Sequence, residues 1–317
     1  MGEFELIERF FKRPARRNAL GVGDDCALLT PGPGMQLAVS SDMLVEDRHF
    51  LPTVDPFKLG HKALAVNLSD LAACGAKPLA FTLALAMPRA DETWLEPFSR
   101  GLLALADEHG CDLVGGDTTR GPLNICITVF GEVPQGQALL RSGAHAGDDL
   151  YVSGTLGDAR LALEAMRGTL PLRAELLEAA RARLEQPTPR IALGQALRGI
   201  ASSAIDISDG LLGDLGHILR QSGVGAAVDT GVAGSLIQAA AALDDERKLE
   251  YVLAGGDDYE LAFTAAPSQR AAVQAAAQQA RTPVTRIGRV EAQPGLRLLD
   301  AQGRPIARRY GSFDHFA

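Results

Sequence analysis

Cysteine is scarce in this chain, and what there is does not pair. Cys26, Cys74, Cys111 and Cys126 form no C-x-x-C unit and lie at no histidine spacing that suits a tetrahedral zinc site, so reduced thiols are expected. Long apolar runs are missing as well, since nothing approaches the ~20 residues a membrane span requires. The opening MGEFELIERFFKRPARR sets acids before its basic cluster and has no apolar stretch ending in small residues, so no secretory signal is expected there. Excess positive charge is also absent. A formal charge of −8 offers no basic face to displace counterions from nucleic acid or an anionic membrane. The expectation is a cytoplasmic protein whose partners are small molecules. The common catalytic loops are lacking too: there is no G-x-x-x-x-G-K-[ST], no H-R-D with D-F-G, no G-x-S-x-G and no H-E-x-x-H.

What is present is length enough for two cores. At 317 residues, 46% of them apolar, the chain sits near the size at which one domain becomes two. Helical spacing over residues 3–12 stops before Pro14. Apolar β-prone runs at 36–41, 79–87 and 124–133 alternate with two longer helical patterns, as in mixed α/β proteins. The first helix, 55–73, opens on Asp55 and Pro56 and closes at Gly75 and Pro78; the second, 92–109, ends at Gly110. Between 136 and 147 the composition turns to glycine, alanine and polar residues, and a fresh strand pattern follows. The domains are therefore expected at 1–140 and 141–317. In the second, strands are expected at 149–153, 204–207 and 259–264, and helices at 172–185, 211–221 and 268–280.

One event recurs: a glycine, serine or small apolar segment runs into aspartate. It happens at Gly23-Asp24-Asp25, Ser40-Ser41-Asp42, Leu68-Ser69-Asp70, Gly115-Gly116-Asp117-Thr118, Ile205-Asp206-Ile207-Ser208-Asp209-Gly210 and Gly255-Gly256-Asp257-Asp258. A single instance reads as a turn or helix cap. A set of six reads differently, because carboxylates that follow buried segments repel one another unless cations hold them together. Hard oxygen ligands with phosphate oxygens are the preferred setting of Mg²⁺. Asp24, Asp42, Asp70, Asp117, Asp206 and Asp209 thus look like a multi-metal phosphate site. Helical geometry places Asp70 on one stripe with Asn67 and Ala63, away from Leu64 and Leu71. With no Walker loop, an ATP-using enzyme of this kind would hold the triphosphate through metals and backbone amides.

Taken together, GVGDDCALL, SSDMLVEDRHF, HKALAVNLSDLAACGAKP, GGDTTRGP, RSGAHAGDDLYVSGTLGD, AIDISDGLLGDLGHI and GGDDYELAF resemble the thiamine-monophosphate kinase family. That family belongs to the superfamily of aminoimidazole-ribotide synthetase, selenophosphate synthetase and a hydrogenase-maturation protein. The resemblance runs from about Gly2 to the closing GSFDHFA. It implies a two-domain α/β fold of mixed sheets, like aminoimidazole-ribotide synthetase, that forms a homodimer through its N-terminal domain. It implies ATP-dependent phosphorylation of thiamine monophosphate to thiamine diphosphate. By similarity Asp24, Ser40, Ser41, Asp42, Asp70, Asp117, Asp206 and Asp209 bind Mg²⁺, with Asp42, Asp70, Asp117 and Asp209 serving the transfer itself. Gly116, Asp117, Arg141 and Ser208 would contact ATP, and His49, Glu260 and Phe313 the thiamine phosphate.

Three departures stand out. Asp47-Arg48 replaces the family's usual Gly-Val before the histidine, Cys26 stands where alanine is common, and Asp257 replaces glutamate in GGEDYEL. Two other readings remain: a superfamily enzyme with a different ATP-activated acceptor, and a thiamine-phosphate or nucleotide-binding protein without catalysis.

Overall fold

The structure is a computed structural model that describes residues 2–14, 22, 26–238, 243–307 and 310–311. It divides into two compact units, Met1–Leu71 with Ala76–Gly136, and Ala72–Gly75 with Gln137–Ala317.

The first unit runs α1 (Glu3–Phe10), β1 (Met35–Val45), α2 (Pro56–Ala73), β2 (Lys77–Met87), α3 (Glu92–His109), β3 (Asp112–Arg120) and β4 (Asn124–Pro134). Its four strands lie in the order β1-β4-β2-β3, with β2 and β3 parallel and the other pairs antiparallel. The helix starts follow from the sequence: Asp55 Oδ1 accepts from the amides of Phe57 and Lys58, and Asp91 Oδ1 from that of Thr93. α3 closes on Gly110 in the left-handed region. α2 is buried along most of its length, with Leu59, Leu64, Leu68 and Leu71 no more than 1% exposed.

α2 and α3 meet through glycines. A Cβ on Gly60 would lie 2.1 Å from the Phe98 carbonyl oxygen, and one on Gly101 would lie 1.9 Å from that of Phe57, so only hydrogen fits at either point. One sheet face is covered, burying the cross-strand rows Phe81–Val129, Leu83–Ile127 and Leu85–Ile125. On the other face β1 leaves Met35, Leu37, Val39 and Met43 between 37% and 57% exposed.

The second unit runs β5 (Asp149–Ser153), α4 (Asp158–Met166), α5 (Ala174–Glu185), α6 (Ile191–Ala196), β6 (Ser203–Asp206), α7 (Leu211–Ser222), β7 (Gly225–Asp229), α8 (Thr230–Ala233), α9 (Asp245–Ala254), β8 (Leu261–Ala265), α10 (Arg270–Gln279), β9 (Val284–Glu291) and β10 (Gly295–Leu299). Six strands form the sheet β10-β7-β9-β5-β8-β6, in which only β10 and β7 pair in parallel. β5 and β8 are buried at every position, which is why they read as unbroken runs rather than alternating ones. Tyr151 stacks on Phe263 across them at 5.2 Å. At the edge of this core Asp149 is gripped by Arg270 at 2.6 and 2.9 Å and by Arg286 at 3.0 Å.

Strands β3, β7, β9 and β10 are not anticipated by the apolar pattern. β3 contains Gly115-Gly116-Asp117 and β7 begins Gly225-Ala226-Ala227, so in both the run of branched or aromatic side chains that marks a strand is interrupted or cut short. Among the described residues no helix is long and apolar enough to cross a membrane.

Candidate functional site

The candidate residues fall into two groups, one in each unit. In the first, the alternation of β1 decides which side chains meet α2. Ser40 and Asp42 share the covered side: Ser40 Oγ donates to Asp70 Oδ2 at 2.5 Å, and the Asp42 amide donates to Asn67 Oδ1 at 3.0 Å. Asn67 Nδ2 in turn donates to the Ala63 carbonyl at 3.0 Å. The Ala63–Asn67–Asp70 stripe therefore faces β1, and Asn67, only 1% exposed, locks strand to helix. Sequence reasoning noted Asn67 but gave it no role.

Ser41 points the other way. Its hydroxyl bonds Thr128 Oγ1 at 2.9 Å and the Ile127 carbonyl at 3.1 Å, so it does not join Ser40 and Asp42. Asp117 is also apart: it lies in the row Met43–Cys126–Ala84–Asp117, while Asp42 lies in the next row with Gly116 at its far end. Asp42 and Gly116 are thus separated by three strand spacings, roughly 14 Å. Beyond β1, the Val45 amide donates to His49 Nδ1 at 2.9 Å, which leaves the proton of the neutral ring on Nε2. Asp47, where the family usually has glycine, has φ +65°. Asp24 lies outside the described residues.

Among the described residues no three His, Cys, Asp or Glu side chains gather into a metal-binding cluster. What meets the Asp70 carboxylate is the Ser40 hydroxyl, and both are oxygen donors of the kind hard cations use. The residues present fit Mg²⁺ in their chemistry.

In the second unit the Asp206–Gly210 loop leaves the end of β6 and enters α7. Asp214, one turn into that helix, reaches back so that Oδ2 accepts from the amides of Ser208 and Asp209, each at 3.1 Å. Burial pushes the Asp214 carboxyl up to about 7, helped by the Asp209 charge and opposed by the backbone amides. The neighbouring loop runs alongside: the Asp257 amide donates to the Ser208 carbonyl and the Tyr259 amide to that of Ile207, both at 2.8 Å. Asp257 and Tyr259 both have positive φ, at +60° and +50°, an uncommon backbone held by these bonds. Burial, Arg220 and Arg141 together lower the pKa of His217, while the Asp209 charge opposes them.

Glu260 is fully buried. Ser153 Oγ donates to its Oε2 at 2.5 Å, Arg183 to Oε1 at 2.6 Å, and Arg190 grips both oxygens. A Cβ on Gly154 would stand 2.1 Å from this carboxylate. Glu260 thus has no oxygen turned to solvent. Its partners Arg183 and Arg190 were missed in the sequence, where they lie 77 and 70 residues away on a helix face and a loop that read as ordinary surface. Two residues earlier, Asp258 Oδ1 accepts from the Gly157 amide at 2.9 Å, while Oδ2 is buried with no partner among the described residues. Burial raises the Asp258 carboxyl well above the usual range. Phe313 lies outside the described residues.

Comparison with known proteins covers the whole chain. The family described as AIR synthase related protein, N-terminal domain, matches residues 23–133, and its C-terminal counterpart matches residues 145–301. Thiamine-monophosphate kinase of Salmonella typhimurium is 47% identical, covering 100% of this chain and 98% of that protein. The crystal structure of thiamine-monophosphate kinase from Stenotrophomonas maltophilia K279a superposes with a TM-score of 0.87 at 46% identity, over 96% of this chain and 98% of that one. AaThiL complexed with AMPPCP and TMP superposes with a TM-score of 0.77 at 28% identity, over 90% and 89%.

Proposed function

The chain belongs to the thiamine-monophosphate kinase family, and from that premise we propose that it transfers the γ-phosphoryl group of ATP to thiamine monophosphate, giving thiamine diphosphate. The observation that carries the reading is the oxygen-lined junction of β1 and α2, where Ser40 bonds Asp70 and Asn67 holds the Asp42 amide. The complex of AaThiL with AMPPCP and TMP supports the choice of donor and acceptor.

Asp24, Ser40, Ser41, Asp42, Asp70, Asp117, Asp206 and Asp209 are the proposed Mg²⁺ residues, with Ser41 using its backbone carbonyl because its hydroxyl is engaged on the other face. When bound, the cation supplies positive charge against the crowded phosphates. The acceptor is a phosphate monoester whose second pKa is about 6, so it is already ionised at neutral pH and needs no general base. The chain's task is therefore positioning. Asn67 holds Asp42 against α2. The Asp214 carboxyl holds the amides of Ser208 and Asp209, which fixes the direction in which those two side chains leave the loop. Gly116, Asp117, Arg141 and Ser208 are the proposed ATP contacts, and Asp42, Asp70, Asp117 and Asp209 the groups closest to the transfer.

His49 and Phe313 are proposed to contact the thiamine moiety. Glu260 would act on substrate through Arg183 and Arg190, since its own oxygens are enclosed. The working form is proposed to be a cytoplasmic homodimer, joined through the exposed apolar side chains Met35, Leu37, Val39 and Met43 of β1.

The test is thiamine diphosphate formation from thiamine monophosphate, ATP and Mg²⁺, comparing the wild type with Asp42→Asn. Product from the wild type and a loss of about two orders of magnitude or more in the variant is the expected result. A wild type that binds ATP yet yields no product would overturn the assignment of the acceptor.

A further inference from the structure

One cavity of the first unit has no role in this scheme. It opens where β2 ends at Met87 and β3 at Arg120, has a volume of about 520 Å³, and is lined by Leu6, Met87, Pro88, Thr118, Thr119 and Arg120 among others. That size is in the range of small-ligand sites, about 300–1,000 Å³. Its two arginines are not equivalent. Arg89 is held by Asp91 at 3.0 Å, whereas Arg120 forms no ion pair among the described residues. An exposed guanidinium at the end of a strand, on the same strand face as Thr118 and in one cavity with apolar side chains, is matched to a ligand that carries an anion at one end and a ring at the other.

We propose that this cavity is a phosphate-ester pocket, in which Arg120 and Thr118 take the phosphate of a thiamine phosphate and Leu6, Met87 and Pro88 take its pyrimidine ring. A guanidinium meets phosphate oxygens through two parallel N–H donors, and a hydroxyl can donate to the third. The apolar side chains remove ring surface from water. Arg120 is three residues along β3 from Asp117, about 10 Å, so a phosphate held there lies at the same end of the strand as a proposed ATP contact. The occupant's identity rests on the kinase reading; the pocket's phosphate chemistry does not.

The experiment compares wild type, Arg120→Ala and Arg120→Lys in steady-state kinetics, with thiamine monophosphate and ATP varied separately and thiamine diphosphate added as inhibitor. Calorimetric titrations with thiamine monophosphate and with unphosphorylated thiamine are run alongside. The expected result for Arg120→Ala is a tenfold or greater rise either in KM for thiamine monophosphate or in the inhibition constant of thiamine diphosphate. The ATP KM stays within twofold, the melting temperature is unchanged, and lysine restores part of the loss. A KM effect identifies the occupant as the acceptor, and an effect on inhibition alone identifies it as the product; both sustain the pocket. Unchanged acceptor and inhibitor constants, or a change confined to ATP, overturn it. If the wild type makes no thiamine diphosphate, the kinase reading fails separately. Calorimetry then decides the pocket: thiamine monophosphate binding that is lost in Arg120→Ala sustains it, and binding that is absent from the wild type or equal in both overturns it.

Discussion

The two units use the same sequence device, glycine or serine running into an acid, for opposite ends. In the first unit the acids stay near open oxygen-rich surface: Asp42 and Asp70 are only half-buried and Asp117 is exposed. In the second unit Asp209 is half-buried in the same way, but other acids turn inward. Glu260 is clamped by two arginines, Asp214 gathers loop amides and Asp258 caps the start of α4 while leaving one oxygen with no partner among the described residues. One unit presents its carboxylates; the other, apart from the Asp206–Asp209 loop, spends them on its own architecture. A motif of identical appearance can therefore mean a ligand site or a scaffold, and burial decides which.

The strongest challenge to that contrast is Glu260→Gln. If Glu260 is scaffold, removing its charge leaves Arg183 and Arg190 without their anion, and stability should fall by about 3–5 kcal/mol in urea unfolding. A variant that unfolds like the wild type but has lost affinity for thiamine monophosphate would place Glu260 with the presented acids instead. Next is Asp70→Asn, expected to lower kcat by about two orders of magnitude, roughly 2.7 kcal/mol of transition-state stabilisation, while the unfolding midpoint barely moves.

A smaller effect concerns pH. The Asp214 carboxyl is held up to about 7 in the folded chain, whereas in the unfolded chain it titrates at about 3.9. Between those values the folded protein keeps a proton that the unfolded chain has shed, so this group makes stability fall as pH rises across that window. Asp258, shifted in the same direction, adds to the slope. Asp214→Asn should flatten the dependence of unfolding free energy on pH between about 4 and 7 in the presence of a chelator; an unaltered slope would remove Asp214 from the buried set. The smallest expected effect is at Asp47, where φ is +65°. Asp47→Gly should stabilise the protein by about 0.5–1 kcal/mol by relieving a left-handed aspartate, less the entropy glycine adds to the unfolded chain.

Much of the first unit is legible in the sequence because its helices carry caps and stripes. Asp55-Pro56 and Asp91 mark starts, Gly110 marks an end, and the apolar runs of β2 and β4 are long. β3 is not legible, since the residues proposed to serve phosphate chemistry are small or polar and interrupt the strand pattern. The same holds for the site. The positions of Asp42, Asp70 and Asp209 can be read from local motifs, and the Gly-Val departure at Asp47 marks a residue whose backbone favours glycine. That Ser41 faces away from Ser40 follows from period-two alternation once the strand is known. The enclosure of Glu260 cannot be read locally, because Arg183 and Arg190 are brought to it only by the tertiary fold.

The contact between α2 and α3 has a further consequence. Gly60 and Gly101 let the two helix backbones touch, with no side chain between them to yield. α2 also carries Asp70, ten residues or about 15 Å along its axis from Gly60. A flexible spacer at the crossing would let the helix rock and would spread that carboxylate over a range of positions. Bare backbone against bare backbone works as a mechanical stop, so the aim of the proposed catalytic carboxylate is calibrated by a methyl group that is missing nearly three turns away.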